Sequence, residues 1–130
     1  MRLNTDGLII NEKQTGEADR LVTVLTRDMG VIRAFVRGAR SVKSRSLSAT
    51  QLLAYSRFSI YMNRDVYTID EAEPIEVFFG VRKDFSRTSL AMYFCELVYE
   101  LAPEGTDSKE ILSLTLNTLY MLSNNKLPTH

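Results

Sequence analysis

The sequence predicts a small β-barrel followed by the start of a helical unit, and three observations lead there. Residues 1–74 hold four of the six glycines and most of the β-branched runs, the apolar residues beyond 81 recur at helical spacing, and Pro74 to Gly80 marks the change. The chain of 130 residues is accordingly divided into 1–79, the barrel, and 80–130, the helical part.

Leu8-Ile9-Ile10 is a short apolar run ahead of a polar loop, Glu12 to Asp19, that turns at Gly16. Arg20 to Thr26 and Val31 to Arg37 flank Arg27-Asp28-Met29-Gly30, where glycine supplies the positive φ that a hairpin needs. Tyr55 to Met62 and Val66 to Asp70 flank a second turn, Asn63-Arg64-Asp65. Between the third and fourth strands, Gly38 to Ser48 carries four serines and three basic residues with little to bury, the composition of an exposed loop. Five short strands, hairpin-linked at 2–3 and 4–5 with a longer excursion after the third, fit an OB-fold, with an SH3-like barrel as the alternative.

In the second half, Leu90, Phe94, Leu97 and Leu101 recur at helical spacing, Ala91, Cys95 and Val98 widen the stripe, and Ala102-Pro103 stops the helix. Asp107 with Glu110 three residues on has the spacing of an N-cap and its reciprocal carboxylate, opening a helix from about Ser108 to Ser123. There Ile111, Leu112, Leu114, Leu116, Leu119, Met121 and Leu122 spread over more than one side. A helix of that kind expects neighbours on several sides, so the helical domain is read as incomplete and its last helix as prone to form a homodimer.

Chemistry is excluded more readily than it is found. The single Cys95 cannot form an internal disulfide, and with His130 as the only histidine neither a zinc site nor a Cys/His nucleophile pair can be assembled. No Gly-Lys-Ser/Thr phosphate loop occurs, and Glu12, Glu17 and Asp19 read as solvated loop acids. No run approaches the ~18 apolar residues of a membrane span and the N-terminus lacks an apolar leader. The expectation is a soluble, cytoplasmic protein that is not an enzyme, with no catalytic residues, no metal and no membrane contact.

Net charge is zero, yet eight basic residues stand against one acid between Arg27 and Arg64, and residues 65–80 carry five acids and no base. Strand parity places Ile32, Ala34 and Val36 on one face of the third strand and Arg33, Phe35 and Arg37 on the other; in the fourth, Phe58, Ile60 and Met62 oppose Arg57, Ser59 and Tyr61. Guanidinium groups beside exposed rings suit single-stranded nucleic acid, since phosphates demand positive charge and unstacked bases a π surface. Arg33, Arg37, Arg40, Lys43, Arg45 and Arg57 are the candidate nucleic-acid-binding cations, and Phe35 and Tyr61 the candidate stacking rings. Four phosphate contacts, from Arg37, Arg40, Lys43 and Arg45, give an expected log–log salt slope of about −2.8, at roughly −0.7 each. The same residues also fit a solvated basic face with Phe35 and Tyr61 packed under the helices, or a protein-interaction module that docks an acidic peptide tail or a partner protein.

Gly7-Leu8-Ile9-Ile10, Gly16-Glu17-Ala18-Asp19, Thr26 to Gly30, Val36-Arg37-Gly38-Ala39-Arg40-Ser41-Val42-Lys43-Ser44 and Tyr67-Thr68-Ile69 with Glu71-Ala72-Glu73, in this order, resemble the N-terminal part of the RecO family of bacterial recombination mediators. The most specific piece is Gly-Ala-Arg-x-x-Lys-Ser at 38–44. The resemblance implies an OB-fold, then a helical domain longer than the stretch after Gly80 and bearing a cysteine-rich zinc site. Cys-x-x-Cys does not occur here, so no cofactor is expected in this chain. It also implies binding to single- and double-stranded DNA, annealing of complementary strands, and action with RecR to load RecA onto DNA coated by single-strand-binding protein. Contact with single-strand-binding protein is implied for the helical domain, and the matching basic positions are Arg37, Arg40 and Lys43.

Overall fold

Strand alternation in the first half produces five strands: β1 (Arg2–Gln14), β2 (Arg20–Thr26), β3 (Gly30–Val36), β4 (Ala54–Asn63) and β5 (Val66–Val77); two helices come after them, α1 (Phe85–Leu101) and α2 (Lys109–Ser123). They come from a computed structural model, which describes residues 2–15, 19–36, 48–78, 85–101 and 108–123. The strands close into a barrel in the order β1-β2-β3-β5-β4. All pairs are antiparallel except β3 with β5, where Ala34 faces Tyr67 and Phe35 faces Thr68. This is the OB-fold the sequence predicts.

Two strands exceed their expected length for one reason: their outward residues are polar. β1 begins at Arg2 and runs through Glu12 to Gln14, residues read from sequence as loop. β5 passes the acidic run and Pro74 to reach Val77. Ser56 lies opposite Pro74 and Tyr55 opposite Glu76, so Ile75 is the extra residue of a bulge, a place where a strand tolerates proline. β3 starts at Gly30 and ends at Val36, and Arg37 and Gly16 lie outside the described residues.

The β2–β3 turn is built as expected. Gly30 has φ 70°, and the Thr26 hydroxyl accepts from Met29 N at 3.0 Å and donates to Gly30 O at 2.7 Å. Gly7 serves a close approach instead, because a Cβ there would lie 2.7 Å from Val24 Cγ1 and 2.9 Å from Leu25 O.

Alternation sorts the apolar residues into two cores. The barrel interior holds Ile9, Val22, Val24, Ile32, Ala34, Val36, Phe58, Ile60 and Ile69. The second core lies outside the barrel, where Leu8, Ile10, Leu25 and Val31 meet Ala91, Cys95 and Val98 of α1 and Leu112, Leu119 and Leu122 of α2. The helices are thus seated on the outer side of β1, β2 and β3.

α1 turns inward only one edge of the expected stripe. Its small residues Ala91 and Cys95, with Val98, face the barrel, while Leu90 (51 %), Leu97 (43 %) and Leu101 (69 %) are exposed and Phe94 is half-buried. Small side chains allow the helix axis to approach the sheet closely, which the larger leucines would prevent. Cys95 is a buried small hydrophobe; burial, aided by the Glu96 charge, pushes its thiol up to about 12. α2 starts one residue later than the Asp107–Glu110 spacing implies: Ser108 is the N-cap, its carbonyl accepting from Leu112 N at 2.8 Å. Asp107, Pro103 and His130 lie outside the described residues. Among the described residues, no helix is long and apolar enough to cross a membrane.

Candidate nucleic-acid interface

Register creates one continuous row across the outside of the barrel. Leu21 faces Phe35, Phe35 faces Thr68, Thr68 faces Tyr61, and Tyr61 faces Arg2, so five strands contribute one residue each. Residues directly opposite share a face, which puts Phe35 and Tyr61 on the same surface roughly 10 Å apart, two strand spacings with Thr68 between. Neither ring belongs to either apolar core. Tyr61 is 45 % exposed, and Phe35 and Thr68 are half-buried. The two candidate stacking rings are therefore brought together, although β3 and β4 are separated by β5.

The candidate cations are distributed unequally around this row. Arg37, Arg40, Lys43 and Arg45 lie outside the described residues. Arg33 is exposed, two residues before Phe35 on the same face, and lines a cleft of about 390 Å³ between the barrel and α1. Arg57 is exposed on β4, but its register partners on both sides are carboxylates, Asp6 on β1 and Glu73 on β5. Glu71, Glu73 and Glu76 are exposed along β5, facing Ser59, Arg57 and Tyr55. A polyanion meets repulsion there and less of it at the Phe35–Tyr61 row, where Asp70 is bound to Arg2 at 2.9 Å.

Arg27 is withdrawn from the basic run. Its Nε donates to Asp6 Oδ1 at 2.7 Å and its Nη2 to Asp6 Oδ2 at 2.9 Å, while the Tyr55 hydroxyl donates to the same carboxylate. Burial disfavours the charged form of Asp6, but the hydrogen bonds from Arg27 and Tyr55 and the Arg27 charge together outweigh it, holding the carboxyl below its ordinary value. Burial, and donation to Asp6, raise the Tyr55 phenol. Tyr55 also packs against the second core and Tyr67 against the barrel core, while Phe79 lies outside the described residues.

Arg20 joins the two flanks of the basic segment, a role the sequence does not disclose. It is the register partner of Val36, the last residue of β3, and its guanidinium donates to Thr50 O at 3.1 Å and Thr50 Oγ1 at 2.6 Å on the far side of residues 37–47. Glu12 accepts from the same guanidinium at 2.9 Å and fixes its direction. Opposite charges at Glu12 and Arg20 near the ends of one hairpin are visible in sequence, but the Thr50 contact is not. Glu12 is thus an ion-pair partner rather than a solvated loop acid, and Glu17 lies outside the described residues. Among the described residues, no group of three or more His, Cys, Asp or Glu is arranged to hold a metal.

Comparison with known proteins gives two family matches in succession, "Recombination protein O N terminal" over residues 1–78 and "Recombination protein O C terminal" over residues 82–129. Similar curated proteins carry the name "DNA repair protein RecO". That of Acetivibrio thermocellus is 40 % identical over 121 residues, covering 93 % of this chain and 48 % of its own length. That of Alkaliphilus metalliredigens is 32 % identical over 127 residues (98 % and 52 %), and that of Symbiobacterium thermophilum 36 % over 118 residues (91 % and 47 %). The chain spans about half the length of these relatives.

Proposed function

The chain belongs to the recombination protein O family, and on that premise we propose that it is the DNA-binding part of a recombination mediator acting in DNA repair. It binds single- and double-stranded DNA largely through the sugar-phosphate backbone, anneals complementary strands, and with RecR helps to load RecA onto DNA coated by single-strand-binding protein. Arg37, Arg40, Lys43 and Arg45 hold phosphates, Phe35 and Tyr61 stack unpaired bases, and Arg33 and Arg57 stand at the flanks of this track. The observation that carries the reading is the Phe35–Thr68–Tyr61 row, next to the strand end from which the basic segment departs. The rings thus stand close in the chain to the basic residues at 37–45, and charge with a π surface is the pairing a single strand requires.

A protein-interaction module is the second reading, and the exposed Leu90, Tyr93, Leu97 and Leu101 on α1 favour it. Competition separates the two. A mixed-sequence oligonucleotide and an acidic peptide of equal charge are titrated against the protein at moderate salt. The DNA reading expects the oligonucleotide to displace the peptide, and the reverse order supports docking of an acidic tail.

A further inference from the structure

The cleft between the barrel and α1 has walls of opposite charge. Lys13 and Arg33 line it from the barrel, Glu96 and Glu100 line it from α1, and Ile10 and Leu21 contribute apolar surface. Glu96 and Glu100 are four residues apart, so they are neighbours on successive turns of one helix face. All four charged residues are exposed, and none forms an ion pair with another described residue. They are not what holds α1, which is seated by Ala91, Cys95 and Val98. A compact space of that volume is about 9 Å across, comparable to the ~8–10 Å Debye length, so the two walls feel one another through the solvent.

We infer that Glu96 and Glu100 are specificity determinants of the nucleic-acid track: facing Lys13 and Arg33 across the cleft, they withhold these two cations from phosphate and confine a bound strand to the Phe35–Tyr61 row. This rests on the DNA-binding reading. Arg33 shares a face with Phe35 two residues away, so without the helix carboxylates the track would continue from the row into the cleft. A phosphate entering the cleft of the wild-type protein meets two carboxylates for two cations and gains no net attraction.

The test is a salt-series titration of a mixed-sequence oligonucleotide against the wild-type protein, E96Q/E100Q, and a control, D28N/E110Q, that removes the same charge from exposed positions away from the cleft. Wild type and control are expected to share a log–log slope of about −2.8, while E96Q/E100Q steepens to about −4.2 through two added phosphate contacts. Adding K13Q/R33Q to E96Q/E100Q returns the slope to about −2.8. Equal slopes for E96Q/E100Q and the control overturn the inference and leave the DNA reading standing. A flat salt response of the wild-type protein overturns the DNA reading itself. Thermal melting of each protein, expected to be unchanged because every replaced residue is exposed and the acid-to-amide substitutions are isosteric, reports folding.

Discussion

The carboxylate of Asp6 takes two donors from Arg27 and one from Tyr55, and the backbone carbonyl of Arg27 accepts from Ser108 N at 3.0 Å. One acid on β1 thereby orders the β2–β3 turn and the start of α2 together. With the Asp6 side chain 18 % exposed and the Arg27 side chain 39 %, Asp6→Ala should cost about 1–2 kcal/mol, the lower part of the range for charge-assisted hydrogen bonds, because Arg27 recovers some hydration. The folded carboxyl titrates below its ordinary value of 3.8, so its stabilisation is complete above that pH and is lost as the pH falls through the folded value. Urea midpoints at pH 7 and at strongly acid pH check this. The wild-type advantage over Asp6→Ala should shrink in acid, and an advantage that does not change with pH would mean the carboxylate is not the source.

At the scale of elements, the β4–β5 turn is a two-residue loop with Arg64 at φ 54° and Asp65 at φ 65°. Both central residues are left-handed, the pattern that favours Asn-Gly and costs an L-residue with a full side chain about 1 kcal/mol. Arg64→Asn with Asp65→Gly should therefore stabilise by about 1 kcal/mol, read as a rise in Tm of about 3–5 °C. No gain would show that Arg64 or Asp65 makes a compensating contact. Sequence disclosed this turn and all five strands, since alternation and turn residues are local properties. The far half of β5 was hidden because the strand was expected to stop at Asp70, ahead of more acids and Pro74, and only the bulge opposite β4 makes room for the proline. Which edge of the α1 stripe turns inward was hidden as well. A helix carrying apolar residues on two sides does not reveal which side the barrel selects, and close approach favoured Ala91 and Cys95 over the leucines.

Across the whole molecule, the barrel faces differ in chemistry. The helices cover the outer side of β1, β2 and β3, acids line β5 opposite Arg57, and the ring row crosses β3, β5 and β4. The outward direction of Phe35 and Tyr61 was legible from parity, but their shared row was not, because it depends on the parallel pairing of β3 with β5, between residues more than thirty apart in sequence. The retention of Arg27 by Asp6 is likewise a tertiary fact that a count of charges along the chain overlooks. The rest of the basic run is concentrated at 37–45, a segment whose two flanks Arg20 brings together. The central claim is that this segment grips the phosphate backbone. Salt-series titration of wild type beside R37A/R40A/K43A tests it most directly: the slope should fall from about −2.8 to about −0.7, at roughly −0.7 per contact, with similar loss of affinity for every base composition. An unchanged slope, or a loss confined to one base composition, would contradict it.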